Sequence, residues 1–149
     1  AVMLAHVMFP QIDAEFPASL SKRIITGWLR DQLGFDKHLV MTDDLDMGAI
    51  AARYGRGEDV KLAIRAGNDL AMICHKTETA ETAARALAEL PLGLREDARE
   101  RVENFRKKLR FPSAFSRERW EAAVAKIEAI REAIPEPEPG DDRSAVTRY

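Results

Sequence analysis

The sequence has a single cysteine, Cys74, in 149 residues, so no internal disulfide can hold it together. That fits a reducing compartment. No apolar run approaches the ~18 residues that a membrane-spanning helix needs. Charge of neither sign dominates: 23 Lys and Arg stand against 25 Asp and Glu, for a net charge of −2. That balance excludes a general polyanion binder. There is no Gly-rich phosphate loop, no cofactor motif and no internal repeat at the residue level. What remains is an ordinary globular composition, 46% hydrophobic and 32% charged, long enough for one domain with a real core.

Along the chain, Val2 to Phe9 reads as a buried strand. It lacks a basic leader and a cleavage site, so a strand is expected here rather than a signal peptide. The chain starts without Met directly in this run, so its true beginning is expected upstream. After a loop, Ser19 or Ser21 caps a helix. Its apolar stripe is Leu20, Ile24, Ile25, Trp28, Leu29 and Leu33, and Gly34 stops it. A second strand, Leu39 to Thr42, is followed by short helices over 46–53 and 58–66, the latter ended by Gly67. Asp69 to Cys74 reads as a third buried strand, which makes Cys74 a small buried hydrophobe. Helices are expected over 77–90, 95–110 and 116–134, the last with Trp120, Val124, Ile127, Ile130 and Ile134 facing inward. The 95–110 run is a solvated charged face. The Pro-Glu repeats from Pro135, and the polar end to Tyr149, have the composition of an unstructured tail. Strands alternating with helices give an α/β fold with parallel strands.

The stretch carrying chemistry is Val40-Met41-Thr42-Asp43-Asp44-Leu45-Asp46-Met47. A parallel strand is covered on both faces and reads as a continuous apolar run. α/β folds place their sites at the C-terminal ends of such strands. A carboxylate there needs a reason, because burying an unpaired charge is costly. The residues alone leave three readings open: a helix cap, a divalent-cation site built from Asp43, Asp44 and Asp46, or a catalytic carboxylate.

Three blocks bear on that choice. The first is Ala5-His6-Val7 through Ile12-Asp13, with Pro17-Ala18-Ser19-Leu20-Ser21. The second is Leu29-Arg30-Asp31-Gln32-Leu33-Gly34-Phe35-Asp36 with Val40 to Leu45. The third is Ala63-Ile64 with Ala66-Gly67-Asn68-Asp69-Leu70 and Ile73-Cys74. Together they resemble the family 3 glycoside hydrolases, in the branch of bacterial β-N-acetylhexosaminidases. One departure is Lys37-His38, where the family usually has a single Gly.

The resemblance implies a (β/α)8 barrel, of which residues 1–134 would be the C-terminal part, about three β/α units plus terminal helices. It implies a retaining glycosidase releasing terminal β-linked N-acetylglucosamine, from muropeptides during peptidoglycan recycling in the cytoplasm. No cofactor, metal, nucleic acid or membrane is implied. Asp43 matches the family nucleophile, with Asp44 as an anchor. The acid/base would lie upstream of this chain. His6 is either a braced core histidine or a substrate contact, while Met47 and His75 are candidate linings of the sugar pocket. Asp13 braces its loop or touches sugar. Two other readings stay open. The chain is a non-catalytic fragment needing a complementary barrel half or self-association, or it acts as a β-glucosidase or β-xylosidase of the same family.

Overall fold

The computed structural model describes residues 1–134; the tail expected over 135–149 lies outside them. Contacts divide the described residues into two units, Ala1–Leu109 and 110–134.

The first unit is built on three strands, β1 (Val2–Leu4), β2 (Val40–Asp44) and β3 (Leu70–Met72), all parallel and in the order β1-β2-β3. The expected α/β architecture is present. β1 and β3 are shorter than their apolar runs suggested, leaving the sheet at Ala5 and Ile73, while β2 runs on through Asp44. Cys74 is therefore exposed rather than buried, since it lies beyond the last ladder bond of β3.

Between β1 and β2 runs the helix Arg23–Gln32, wound with i→i+5 bonds. This π-helix is wider than the α-helix the spacing predicts, so the apolar stripe does not stay on one face. Ile25 is fully buried against Val40 and Ala66, with Leu4 and Leu29 packed beside them. Trp28 and Leu33, expected in the same stripe, are exposed. Gly34 ends the helix at φ 74, as its place in the sequence predicts. The Lys37-His38 turn forms without any residue at positive φ. It is held by Arg30, whose Nη1 donates to the carbonyls of Phe35, Asp36 and His38.

After β2 come α1 (Gly48–Ala51) and α2 (Glu58–Ala66). After β3, a 3-10 turn at Thr77–Thr79 leads into α3 (Ala80–Ala88), and then α4 (Leu92–Arg106). The main core joins Leu20, Leu45, Ile50, Val60, Ala63, Ala83 and Ala86. Leu45, Ile50 and Val60 are fully buried, which contributes about 2 kcal/mol for each side chain.

The second unit contains α5 (Arg117–Ala133), started by Ser116, whose hydroxyl oxygen accepts the Arg119 N–H at 3.2 Å. Its apolar residues do not face inward as expected. Trp120, Ile127, Ile130 and Ile134 are exposed, and only Val124 is half-buried. Heptad-like spacing marks a face that can be covered; it does not supply the layer that covers it.

Candidate active site

The alternation of β2 separates its two acids. Val40, Thr42 and Asp44 are buried, while Met41 and Asp43 are half-buried on the opposite face. The register with β1 places Met3 beside Met41 on that second face. Between β2 and β3 the pairing slips: Met41 pairs with Leu70 and Asp44 with Met72, so β2 carries one extra residue there. Thr42 absorbs the irregularity, its Oγ1 accepting the Met72 N–H at 3.0 Å. Such bulges re-aim side chains at strand ends, and this one lies at Asp43.

Asp44 is the anchor of the strand end. Its Oδ1 accepts the N–H of Asp46 at 3.1 Å and of Cys74 at 3.0 Å. Its Oδ2 accepts Nδ1–H of His75 at 2.6 Å. Burial alone would raise this carboxyl, but the Asp46 N–H, the His75 ring and the Cys74 N–H outweigh it and hold Asp44 below the usual carboxylate range. Asp46 ties the same loop a second time, its Oδ2 accepting the N–H of His75 at 2.9 Å and of Lys76 at 2.7 Å. Its Oδ1 takes Nη2 of Arg56. Arg56 also donates to Asp59 Oδ2 at 2.7 Å and Thr79 Oγ1 at 2.9 Å. From the β1 side, His6 Nε2 donates to the Asp44 carbonyl at 2.9 Å, and its Nδ1 accepts the Ser19 hydroxyl at 2.6 Å.

Asp43 differs from both neighbours. Its Oδ1 accepts the Asp44 N–H at 2.7 Å, and its Oδ2 accepts no hydrogen bond among the described residues. Two hydrogen-bonded carboxylates thus flank one with an oxygen that takes no hydrogen bond among the described residues. The cation reading fits poorly. Donor atoms of Asp44, Asp46 and His75 lie within 4.8 Å of one another, but these carboxylate oxygens already hold backbone N–H groups, the His75 ring or Arg56. Asp43 is not in that group.

The other candidates fall as follows. His6 has both ring nitrogens engaged within the protein and sits as a brace. Met47 is half-buried at the head of α1. His75 is exposed at the loop after β3, held by Asp44. Asp13 braces its loop: Oδ2 accepts the Ser21 hydroxyl at 2.6 Å, and Oδ1 accepts the N–H of Glu15 and Phe16. The sequence reading did not single out Arg56. Its only signal was a cation between Gly55 and Gly57, within reach of two acids. It also passed over the opposite pole of the sheet, where Asp69 accepts Val40 N–H at 2.9 Å and is bound by Arg30 and Arg101. That buried cluster closes the N-terminal ends of β2 and β3, the end associated with stability rather than chemistry.

Parallel strands joined by helices, with a carboxylate at the C-terminal end of the middle strand, are the arrangement on which α/β folds build their sites. Comparison with known proteins specifies it. Residues 1–111 match the family described as the glycosyl hydrolase family 3 N-terminal domain, and the chain belongs to that family. It is 38% identical over 138 residues to a β-hexosaminidase of Vibrio cholerae serotype O1, covering 91% of this chain and 39% of that protein. It is 43% identical over 81 residues to a β-hexosaminidase of Thiobacillus denitrificans, covering 54% of this chain and 22% of that protein. The chain therefore spans well under half the length of these relatives. Among solved structures, it resembles a family 3 β-N-acetylglucosaminidase from Paenibacillus sp., at 31% identity and a TM-score of 0.68. That match covers 77% of this chain and 24% of the other. The β-N-acetylglucosaminidase of Thermotoga maritima matches at 28% identity and a TM-score of 0.66, covering 74% and 26%.

Proposed function

We propose that this chain forms the nucleophile-bearing part of a retaining β-N-acetylhexosaminidase that releases terminal β-linked N-acetylglucosamine. The observation that carries the reading is the contrast at the end of β2, where Asp44 and Asp46 are saturated and Asp43 keeps Oδ2 open. In the reaction, an Asp43 carboxylate oxygen attacks the anomeric carbon as the bond to the leaving oxygen breaks, giving a glycosyl ester. An acid supplies the proton that the leaving oxygen takes up. Water then cleaves the ester, restoring the carboxylate. We assign the acid/base to residues upstream of those described. Muropeptides from peptidoglycan recycling in the cytoplasm are the proposed substrate source. The names of the relatives support the sugar.

One observation favours a second reading, in which the unit acts only against a complementary part of a barrel. Met3, Val7, Met8 and Phe9 are exposed along the edge strand and the loop that follows it. Unpaired strand edges of this kind invite further strands.

The test is labelling with a fluorinated N-acetylglucosaminide that forms a slow-turnover glycosyl ester, followed by peptide mass analysis. The expected adduct sits on Asp43 and is lost in Asp43→Asn. An adduct on Asp44, or full chromogenic activity in Asp43→Asn, removes the assignment. Activity that appears only when a complementary barrel segment is added supports the second reading.

A further inference from the structure

Arg56 stands between Gly55 and Gly57, ahead of α2. Gly57 takes φ 111, a backbone open to glycine, and the turn brings Arg56 against Asp46. The Arg56 side chain is 14% exposed, and the Asp46 and Asp59 side chains it meets are 1% and 2% exposed. One cation thus serves two buried acids. Pairs of this kind return little stability, because the loss of hydration offsets the attraction. What this one fixes is geometry, and the geometry converges on one residue. Asp46 is held by Arg56 Nη2 at Oδ1, and its Oδ2 accepts the N–H of Lys76 at 2.7 Å and of His75 at 2.9 Å. Thr79 Oγ1 accepts Arg56 Nε–H at 2.9 Å and donates its own proton to the Lys76 carbonyl at 2.7 Å. Arg56 therefore reaches Lys76 twice, at its N–H and at its carbonyl. A charge at the head of each relay strengthens the bonds behind it. The third arm of the fork goes to Asp59 Oδ2 at 2.7 Å, and Asp59 Oδ1 accepts the N–H groups of Gly57 and Val60 at the start of α2. A lysine would supply the charge but not the planar fork.

The segment held in this way borders the candidate nucleophile. It leaves β3 beside the end of β2, where the Leu45 N–H bonds the Met72 carbonyl at 2.9 Å. The Cys74 thiol is raised by partial desolvation, then by Asp44 and Asp46, and by the Asp43 carboxylate as well, so this loop lies within reach of that charge. Cys74, His75 and Lys76 are all exposed, and packing alone does not fix them. We propose that Arg56 is a positioning residue for sugar binding, which through Asp46 and Thr79 holds His75 and Lys76 as one wall of the site that Asp43 serves. The wall rests on the reading of Asp43 as nucleophile; the holding of the segment does not. Arg56 bonds Asp46, Asp59 and Thr79 and does not touch Asp43. Its loss should therefore weaken capture of the sugar more than the bond-making step.

The test compares the full chain with Arg56→Gln, Thr79→Val and Asp59→Asn. Asp59→Asn is the control, because it takes one acid from Arg56 and keeps both relays to Lys76. Amide hydrogen exchange of His75 and Lys76 should quicken by at least about tenfold in Arg56→Gln and by less in Thr79→Val, and should stay within about twofold of the parent in Asp59→Asn. Labelling of Asp43 is then followed against concentration, with a fluorinated N-acetylglucosaminide whose dinitrophenolate leaving group departs without an acid. In Arg56→Gln the half-saturating concentration should rise by about tenfold while the maximum rate changes by less than about threefold. A role in stability alone would lower the maximum, through fewer folded molecules, and leave the half-saturating concentration where it is. Unchanged exchange in folded Arg56→Gln overturns the proposal, as does a lowered maximum with an unchanged half-saturating concentration. Equal effects in Asp59→Asn overturn it too, by tracing them to the buried charge and not to the relays. If Arg56→Gln does not fold, Thr79→Val decides: faster Lys76 exchange supports the proposal and unchanged exchange overturns it. A parent that takes no label removes the reading of Asp43, and the exchange measurement then decides by itself whether Arg56 holds the segment.

Discussion

Replacing Asp44 by Asn tests the bracing of the strand end while leaving Asp43 untouched. The side chain is nearly the same size, so packing around it is kept. What changes is charge. In the native protein three donors meet an ionised carboxylate: the N–H groups of Asp46 and Cys74 and the His75 ring. Hydrogen bonds to a charged acceptor are roughly twice as strong as neutral ones, a difference of about 1 kcal/mol each. Two of the three donors reach into half-exposed surroundings and count for less, so the expected loss is about 2 kcal/mol at pH 7. For a unit of this size that lowers the melting temperature by about 8 °C. The pH dependence fixes the cause. Asp44 titrates lower in the folded chain than in the unfolded one, so its contribution is fully present above the ordinary carboxylate range. It is lost as pH falls through the folded value. Urea unfolding of the parent and of Asp44→Asn should therefore show a constant gap above about pH 5 that closes on acidification below about pH 4. A gap that stays constant down to pH 3, or no gap at pH 7, refutes the bracing role.

Two further outcomes are expected. Gly67 sits at φ 114, and an added Cβ would lie 2.8 Å from Thr26 Oγ1 and 3.1 Å from Ile25 Cγ2. Thr26 cannot easily withdraw, because its hydroxyl is bonded to the Ala66 carbonyl at 2.8 Å. Gly67→Ala should thus cost about 2–3 kcal/mol in urea unfolding, and a variant within about 0.5 kcal/mol of the parent would show that the turn relaxes. The Cys74 thiol is pushed up by partial desolvation and then by the Asp44 carboxylate, with Asp46 and Asp43 adding to it. Although the residue is exposed, its alkylation by iodoacetamide at pH 8 should be slower than that of a free cysteine, and faster in Asp44→Asn. Equal rates in parent and variant would exclude the field of Asp44 as a cause.

Sequence patterning carried the fold where local physics is decisive. Gly34 and Gly67 ended their helices at positive φ, the last helix began where it was expected, and the apolar run before Thr42-Asp43-Asp44 became the central strand. It misjudged residues whose surroundings are set by distant chain. Cys74 reads as buried from its apolar neighbours, but β3 stops two residues earlier. Trp28 and Leu33 read as core at α-helical spacing, but the helix is wound wider. The stripe on α5 reads as inward, but the described residues leave it open.

For the site, the sequence by itself determined which group could act: a carboxylate after a buried strand, and Asp43 by family resemblance. Two adjacent acids are chemically alike; the sequence makes Asp44 the expected anchor but does not say which groups would hold it. The tertiary structure supplied those groups. It brought the N–H groups of Cys74, His75 and Lys76 from about 30 residues away onto Asp44 and Asp46, and placed Arg56 against Asp46. The reason is that saturating a buried carboxylate takes donors from several elements, and only folding assembles them.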